Sequence, residues 1–394
     1  MIKNRFLQRI STNVILLGLV SFINDISSDM IFAILPLFIA SLGGAGVAIG
    51  LIGGLGDSIA GVLKVFSGYW SDKFGRRKHF IFWGYFTSSI AKLFFPFAKA
   101  WSALALLVPI ERVGKGLRTA PRDAVIANST APARRGKAFG IHRALDTSGA
   151  FVGALAAFVL FWFLKLQLRT ILLIAAIIAF FALIPIFFVK EKTAKVQNLH
   201  FRISLKNLPS NFKRYLLAAI IFALGNFTYM FFILKSKSVF ADLFNPRFAI
   251  AIPILLYVWF NIVYALFSIP AGIIADKIGR KKTIIIGYAL YSFTCFGFSL
   301  ANSLGIFIGL FGTYGLSLGF IEGNQRALAS DFVTDDLAGT ALGTFHTAVS
   351  LAVLPAGIIA GLLWNFNPSF TFIYGAGLGI LSILFLACAN LYQS

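Results

Sequence analysis

Residues 65–78 read VFSGYWSDKFGRRK, and residues 269–282 read IPAGIIADKIGRKK. Both stretches follow one pattern, G-x-x-x-D-K-x-G-R-[RK]-K, and they lie about half a chain length apart. A long motif that recurs in this way indicates that the chain consists of two related halves. The matched positions are Gly68 with Gly272, Asp72 with Asp276, Gly75 with Gly279, and Arg76 with Arg280.

Each copy of this repeated motif lies between two long apolar segments, and its residue types suit a short loop between two membrane helices. The first glycine allows close helix contact, the aspartate can cap a helix or pair with a cation, and the second glycine allows a turn. The basic residues are expected to stay in the cytosol. We predict that the matched residues stabilise a cytoplasmic gate. An ion pair that forms in one conformation and breaks in another changes the relative energies of the two conformations.

The composition is that of a polytopic membrane protein. Of the 394 residues, 58% are hydrophobic and only 12% are charged, which is far from the composition of soluble proteins. The net charge of +21 would also suit nucleic-acid binding, but the basic residues are mostly clustered in short gaps between apolar runs. Nucleic acid is therefore not an expected partner. Both cysteines lie in apolar segments, so neither a disulfide framework nor a cysteine metal site is expected.

The apolar segments predict twelve membrane-spanning helices, at about 20 residues per span. The basic N-terminus resembles the start of a signal peptide, but the apolar run continues to about Ala40 without a clear cleavage site. We therefore interpret it as an uncleaved first helix. The predicted spans are 13–40, 47–69, 80–98, 101–128, 138–163, 170–189, 214–236, 248–270, 283–301, 304–329, 339–363 and 369–390.

The predicted helices divide six and six around one long hydrophilic connection. We expect an N-terminal bundle over residues 1–189, a cytoplasmic linker over 190–213 and a C-terminal bundle over 214–394. The main basic clusters fall on one side if the N-terminus is cytoplasmic. This predicts a multi-pass protein of the cell inner membrane with both termini in the cytoplasm. The basic linker is also expected to contact anionic lipid headgroups.

The repeated motif resembles the signature loop of the major facilitator superfamily of secondary transporters. In addition, GKGLRTAPRDA at 114–124 and RGKAFGIHRALDT at 135–147 resemble a bacterial subfamily of efflux permeases. The resemblance covers essentially the whole chain. It implies an all-α membrane protein whose twelve transmembrane helices form two pseudo-symmetric six-helix bundles, the major facilitator fold, and transport by alternating access about a midplane site.

One departure from the superfamily concerns its antiporter motif on the fifth helix. Gly149 and Gly153 are present, but the Gly-Pro pair of that motif is absent. Close helix packing is enough to explain the two glycines. The direction of transport is therefore left open by this motif.

Two carboxylates lie inside the first predicted helix. Asp25 and Asp29 are four residues apart and share one face, and each would cost about 2.5–3.5 kcal/mol at the bilayer centre without water or a partner. Arg112, followed by Gly116, resembles the superfamily's Arg-and-Gly motif of the fourth helix, which is usually tied to proton coupling. We therefore predict proton coupling through Asp25 or Asp29, assisted by Arg112.

The fourth helix carries charges at spacings of three or four residues, which form one stripe. Once Asp25 and Asp29 are reserved for protons, the embedded cations of the first half exceed the remaining carboxylates, and a small organic anion is their natural partner. The alternative is that these ions form structural pairs. The predicted substrate cavity comprises Lys64, Lys115, Arg118, Arg143, Asp146, Tyr229, Asn261, Glu322 and Arg326.

The leading hypothesis is a proton-coupled secondary transporter of a small organic anion, with a carboxylate siderophore as one candidate and export as the favoured direction. An uptake permease and a multidrug exporter are alternatives within transport. A membrane sensor and an intramembrane enzyme are alternatives from other classes, but neither an appended soluble domain nor a nucleophile–base set stands out. No Walker loop or metal motif occurs, so no cofactor is expected. The expected partners are the solute, protons and membrane lipids, and the expected state is a monomer.

Overall fold

The computed structural model describes residues 11–131, 134–191, 208–333 and 335–388, and the regular elements in these ranges are all helices. The helices are α1 (Thr12–Ser41), α2 (Gly46–Phe74), α3 (Arg77–Phe94), α4 (Trp101–Asn128), α5 (Arg135–Trp162), α6 (Leu168–Phe181), α7 (Leu183–Phe188), α8 (Ser210–Gly225), α9 (Met230–Leu243), α10 (Pro246–Ile278), α11 (Arg280–Leu300), α12 (Leu304–Asp331), α13 (Asp335–Phe366) and α14 (Pro368–Cys388), with a short 3-10 helix at Phe95–Phe97.

These helices account for twelve membrane spans. α6 and α7 form one apolar segment, Leu168–Phe188, and α8 and α9 form another, Ser210–Leu243. Within the described ranges, ten segments are long and apolar enough to cross a membrane, and the more polar α3 and α4 complete the set. The prediction of an all-helical membrane protein with twelve spans is confirmed.

The repeated motif lies mostly inside helices and not in loops. α2 continues to Phe74 and α10 continues to Ile278, so the motif's aspartates lie in the last turns of these helices. The predicted helix ends near residues 69 and 270 are therefore too early, because neither Asp nor Lys stops a helix. The helices end at Gly75 and Gly279, which adopt φ angles of 64° and 92° that other residues rarely reach.

Two predicted helices are interrupted, the sixth at Ala182 and the seventh at residues 226–229. At the second interruption, other helices provide hydrogen bonds for the backbone. The Tyr291 hydroxyl donates to the Gly225 carbonyl at 2.8 Å, and the Tyr374 hydroxyl donates to the Leu224 carbonyl at 2.7 Å. Carbonyl groups that lose their hydrogen bonds within the helix therefore accept hydrogen bonds from side chains of other helices.

The chain forms two compact units, and α1, α2 and α4 contribute residues to both. The first unit comprises Met1–Phe32, Leu63–Phe97 and Ile110–His200, and the second unit comprises Ala33–Val62, Ala98–Pro109 and Phe201–Ser394.

The predicted division into bundles over 1–189 and 214–394 stays a prediction. Residues 192–207 of the predicted linker lie outside the described residues, as do the first ten residues and the last six. The predicted lipid contacts of the linker and the cytoplasmic position of both termini also stay predictions.

The apolar core of the first unit is built by α1, α3 and their neighbours. Val14, Leu17 and Val20 recur at spacings of three on α1 and are fully buried. Ile81 and Tyr85 of α3 belong to the same cluster. The Tyr85 ring therefore has an apolar surrounding, while its hydroxyl is free to join a polar network described below.

In the second unit, small residues allow α2 and α13 to pack backbone against backbone. A Cβ atom added at Gly361 would lie 2.6 Å from the Gly46 carbonyl oxygen, and one added at Gly54 would lie 3.2 Å from the Leu354 carbonyl oxygen. The contact at Gly361 leaves no room for a Cβ atom, and the contact at Gly54 would accept one only if the neighbouring backbone shifted slightly. This is the close packing that glycines provide in membrane helices, where backbone approach replaces the hydrophobic effect as a driving force.

Candidate functional site

Buried charge is concentrated in the first unit. Charged side chains are rare in membrane helices because they are costly there, so those that occur are paired or line a polar path. The buried acidic, basic and histidine side chains of the described residues are Asp29, Lys92, Glu111, Arg112, Arg118 and His142.

Lys92 on α3 is only 1% exposed and binds α1. Its ammonium group donates hydrogen bonds to the hydroxyls of Ser27 at 3.1 Å and Ser28 at 2.8 Å. Its charged neighbours include Glu111 and Asp25. The sequence analysis did not include Lys92 among the site residues. The available signal was a single lysine inside the apolar part of the third predicted helix.

Glu111 is the first residue of the charged stripe of α4, which continues with Lys115, Arg118 and Arg122, and the side chains of Glu111 and its neighbour Arg112 are both buried. Arg112 Nε lies 3.6 Å from Glu111 Oε2, and the guanidinium carbon lies 4.6 Å from the centroid of the Phe32 ring. The second distance is that of a cation–π contact. The structure therefore places Arg112 between an acidic and an aromatic neighbour, and its predicted assistance to proton transfer stays a prediction.

Arg118 is buried where α4 packs against α3. It is 3% exposed, it donates from Nη1 to Ser88 Oγ at 2.5 Å, and its guanidinium lies 4.3 Å from the centre of the Tyr85 ring. α3 and α4 approach closely at this level, since a Cβ atom on Gly84 would lie 2.7 Å from the Gly114 carbonyl oxygen. In this structure Arg118 joins α4 to α3, and its predicted place in the substrate cavity stays a prediction.

A polar network crosses α1, α3, α4 and α5, with the Ser21 hydroxyl at its centre. Arg122 Nη1 donates to Ser21 Oγ at 3.0 Å, and the same oxygen lies 3.0 Å from His142 Nε2 and 3.3 Å from the Tyr85 hydroxyl. Arg122 also forms an ion pair with Asp123 at 3.0 Å. Neither Ser21 nor Tyr85 was among the predicted site residues.

Asp146 on α5 connects this network to Asp25 on α1. Asp146 Oδ1 lies 4.0 Å from an Arg122 nitrogen, and Asp146 Oδ2 lies 3.5 Å from Arg143 Nη1. Asp25 and Asp146 are charged neighbours of each other. Asn24 Nδ2 also donates to Asp25 Oδ1 at 3.0 Å. The structure therefore brings together one predicted proton carrier and one predicted cavity residue.

Three further predicted residues also lie in the first unit. Asp29 and Lys115 are charged neighbours of Asp25. Lys115 is exposed at about the middle of α4, whereas Asp29 is buried on α1. Lys64 is half-buried on α2.

The first copy of the repeated motif is held by ion pairs at the start of α3. Asp72 Oδ1 accepts hydrogen bonds from Arg77 Nε at 2.9 Å and Nη2 at 2.6 Å. The Glu191 carboxylate accepts from the backbone N–H groups of Arg77 at 2.7 Å and Lys78 at 3.0 Å. A carboxylate at a helix N-terminus is favoured by the helix dipole. Arg76, which was predicted as a gate residue, is exposed.

The second copy of the motif is held differently. Arg280 Nη1 forms an ion pair with Asp331 and donates to the Ala327 carbonyl at 3.2 Å. Within the described residues, no ion pair of Asp276 matches that of Asp72. The first glycines also differ, because a Cβ atom on Gly68 would lie 3.2 Å from Ala120 whereas one on Gly272 would meet no atom within 4 Å. The two copies therefore share a backbone turn and differ in their side-chain contacts.

The remaining predicted cavity residues lie in the second unit, at the interruption between α8 and α9 and on α10 and α12. The rings of Tyr229 and Tyr257 have centroids 5.3 Å apart, and the Tyr264 hydroxyl donates to Glu322 Oε2 at 2.6 Å. Asn261 donates to the Tyr257 carbonyl at 3.0 Å. The residues of this group are Tyr229, Asn261, Glu322 and Arg326, of which Arg326 Nε donates to the Glu322 carbonyl at 3.1 Å.

Comparison with known proteins places the chain in a family. The family model described as Major Facilitator Superfamily matches residues 17–241 and 216–391. The chain is 47% identical over 380 residues to an uncharacterized MFS-type transporter of Methanocaldococcus jannaschii, with 96% of this chain and 95% of that relative covered. It is also 30% identical over 128 residues to the multidrug resistance protein MdtH of Photorhabdus laumondii subsp. laumondii, with 32% of each chain covered.

Among solved structures, the nucleoside transporter NupG has a similar fold. Its TM-score is 0.80 at 16% sequence identity, and the match covers 97% of this chain and 100% of that chain. At this identity the likeness shows the fold alone. Together with the family match along nearly the whole sequence and the archaeal relative, it shows that the chain belongs to the major facilitator superfamily and is a multi-pass secondary transporter.

Proposed function

We propose that the protein couples proton movement to the transport of a small organic anion across the cell inner membrane, with both termini in the cytoplasm. Export is the proposed direction, and a carboxylate siderophore is one candidate solute. The observation that carries this proposal is the set of cations that the first unit holds beside Asp25 and Asp29.

Two of these cations are exposed on membrane helices. Lys115 lies at about the middle of α4, and the side chain of Arg143 on α5 is 54% exposed. A cation at such a position is stable only beside water or an anion. An arginine also presents a planar donor fork that matches a carboxylate. These positions support an anionic solute.

The proton-coupling part of the proposal is supported by the surroundings of Asp25. This half-buried carboxyl has Asp29, Asp146 and Lys115 as charged neighbours. A change in the distance to a neighbouring charge changes the proton affinity of such a group. A rocking motion that moves helices against one another therefore has the means to load and release a proton.

Uptake is a second candidate direction, favoured by the ion pair between Arg143 and Asp146. A solute carboxylate bound by Arg143 would take a positive neighbour from Asp146 and favour the protonated form of the carboxyl. Anion binding and proton binding would then reinforce each other, which is the linkage expected of a symporter. The partial similarity to MdtH supports a multidrug exporter as the third candidate.

The experiment begins with ligand identification on the purified protein. Thermal-shift measurements across anionic, neutral and cationic compounds are expected to show stabilisation by anions. A preference for cations would contradict the anionic solute. In proteoliposomes the selected anion is then expected to show counterflow, and an imposed pH gradient is expected to drive its accumulation. Counterflow is not expected of a sensor or an enzyme.

The variant that tests coupling is Asp25→Asn with Asp29→Asn. It is expected to lose gradient-driven accumulation and to keep equilibrative exchange, because the proton carriers are removed while the solute path remains. Asp242→Asn at the exposed end of α9 is the matched control and is expected to behave as the wild type. Undiminished uphill transport in the double variant would show that neither carboxylate carries the proton.

A further inference from the structure

The second unit carries a carboxylate that is exposed on a membrane helix. Glu322 lies inside the predicted span 304–329 of α12, and its side chain is exposed. Because a charge at such a position is too costly to face lipid, it faces water or a ligand. Within the described residues Glu322 forms no ion pair, and its carboxylate accepts a hydrogen bond from the Tyr264 hydroxyl at 2.6 Å. A carboxylate can accept about four hydrogen bonds, so it has capacity left for a ligand.

Arg326 lies one turn further along α12 and does not neutralise this carboxylate. Two opposite charges four residues apart on a helix often form an ion pair. Here the Arg326 side chain is exposed, and its Nε donates to the backbone carbonyl of Glu322 at 3.1 Å. The negative charge of Glu322 is therefore available to another cation.

The close packing of α12 against α10 fixes the position of this carboxylate. A Cβ atom on Gly315 would lie 2.6 Å from the Phe260 carbonyl oxygen, and one on Gly319 would lie 3.4 Å from the Phe267 carbonyl carbon. Glu322 follows Gly315 by seven residues, which is two helical turns, so it lies on the same side of α12. The helix face that packs against α10 therefore also carries Glu322.

The side of α10 that leads to Glu322 is aromatic. Tyr257, Phe260 and Tyr264 recur at spacings of three and four, and the centroids of neighbouring rings are 5.7 Å and 6.2 Å apart. Tyr229 adds a fourth ring, 5.3 Å from that of Tyr257. Because Tyr264 donates to Glu322, this series of rings ends at the carboxylate. The opposite side of α10 carries the exposed apolar residues Leu255, Trp259, Leu266, Ile269 and Ile273.

A carboxylate beside aromatic rings suits an organic ammonium group. An ionised carboxylate only accepts hydrogen bonds, so a ligand at Glu322 has to provide N–H or O–H donors. The face of an aromatic ring attracts a cation. A protonated amine meets both requirements and also compensates the charge of Glu322. A metal ion fits less well, because no group of three or more acidic, histidine or cysteine side chains that could hold one occurs in the described part of the chain.

We propose that the second unit binds the ammonium group of an organic amine at Glu322, with Tyr264 orienting the carboxylate and the half-buried rings of Tyr229 and Tyr264 providing aromatic surface for the cation. This inference rests on the proposed function and narrows its solute, since the transported organic acid also carries a protonated amine. The exposed cations Lys115 and Arg143 of the first unit suit the carboxylate of such a solute, and Glu322 suits its amine. Amino acids and their derivatives have this pair of groups.

The test uses phenethylamine, 3-phenylpropionate and phenylalanine, which share a phenyl ring and differ in charge. Their binding to the purified full chain is measured by titration calorimetry at neutral pH. We expect the wild type to bind phenylalanine most tightly. In Glu322→Gln we expect the affinity for phenethylamine and phenylalanine to fall about tenfold or more, because a hydrogen bond between two charged groups is lost. The affinity for 3-phenylpropionate is expected to stay unchanged.

Further variants separate the charge from the aromatic ring. Glu322→Asp keeps the charge and is expected to retain part of the affinity for the amines. Tyr264→Phe removes the hydroxyl and Tyr264→Leu also removes the ring, so the affinity for the amines is expected to fall in the first variant and further in the second. Asp242→Asn is the control and leaves this affinity unchanged. Thermal melting without ligand establishes that each variant is folded, and if Glu322→Gln is unfolded, Glu322→Asp and the Tyr264 variants decide the question.

The outcomes separate the ammonium site from the proposed function. Equal affinity of the wild type and Glu322→Gln for phenethylamine and phenylalanine, or no binding of either compound to the wild type, would overturn the ammonium site. Binding of phenethylamine that depends on Glu322, without any binding of 3-phenylpropionate, would overturn the anionic solute and leave the ammonium site in place. Stabilisation by sodium chloride that depends on Glu322, without binding of the amines, would overturn the ammonium site by assigning the carboxylate to a metal ion.

Discussion

Lys92 is a single buried cation that interacts with groups on two other helices. It donates to two serines of α1 and has Glu111 as a charged neighbour on α4, so one side chain links three helices. The sequence marked it only as a lysine in an apolar segment. Its partners could not be inferred from the sequence, because contacts between helices depend on rotation and tilt that periodicity does not fix.

Replacement of this lysine tests its structural role. Lys92→Met is expected to destabilise the protein by about 1–3 kcal/mol, because the buried hydroxyls of Ser27 and Ser28 lose their hydrogen-bond donor. The measurement is the melting temperature of the purified protein. Lys99→Met is the matched control, since Lys99 is exposed just beyond α3, and it is expected to melt like the wild type. Equal melting of both variants would show that Lys92 stabilises nothing.

Asp72 and Arg77 provide a residue-level test of the predicted gate. Asp72→Asn removes the charge that Arg77 binds through two nitrogens, so we expect a changed transport rate and changed accessibility of cysteines placed along the cavity. The exchange of both residues, Asp72→Arg with Arg77→Asp, is expected to restore part of the function. Asp276→Asn is expected to have a smaller effect. Unchanged rate and accessibility in Asp72→Asn would exclude a gating role.

Some of the site could be predicted at this scale and some could not. Asp25 and Asp29 were found because carboxylates in an apolar helix are conspicuous, and Asp146 was found as a charge on the fifth helix. The proximity of Asp25 and Asp146 was not predicted. It depends on the tight contact of α5 with Phe22 and Ile26, which a charge pattern does not contain.

At the scale of elements, the helices α2 and α13 offer a clear test of glycine packing. A Cβ atom on Gly50 would overlap the Gly357 carbonyl oxygen, whereas one on Gly309 of α12 would meet no atom within 4 Å. Gly50→Ala is therefore expected to lower stability by about 1–3 kcal/mol, as overpacking does. Gly309→Ala is expected to leave the melting temperature unchanged or slightly higher. If Gly50→Ala left the melting temperature unchanged, α2 and α13 would be able to move apart at little cost in free energy.

The positions of the spans followed from hydropathy, but the ends of α2 and α10 and the interruption at residues 226–229 did not. Hydropathy averaged over a stretch of sequence is high there and predicts one continuous span. The structure tolerates the interruption because the hydroxyls of Tyr291 and Tyr374 satisfy carbonyl groups at the end of α8. The donors come from α11 and α14, so the signal lies far away in the sequence.

At the scale of the whole molecule, the number of spans and the superfamily could be predicted because both depend on properties that the sequence displays directly. Apolar length gives the spans, and the repeated motif marks the duplication. The two compact units could not be predicted in this way. They assign the ends of α1, α2 and α4 to different units, and such a division depends on which helix faces meet.

α3 and α4 have a consequence for how the protein is made. Among the helices of the described residues that form spans, they are the two that do not meet the length and apolarity of a typical membrane helix. α4 carries Glu111, Arg112, Lys115, Arg118 and Arg122. At about 2.5–3.5 kcal/mol for a charged residue at the centre of a span, the translocon would not release α4 into lipid by itself. Its partners on α1 and α3 leave the ribosome earlier. α4 is therefore expected to remain beside the translocon until it can enter the bilayer together with α1 and α3. The charged side chains of α4 would then be stabilised by partners on helices that were synthesised before it.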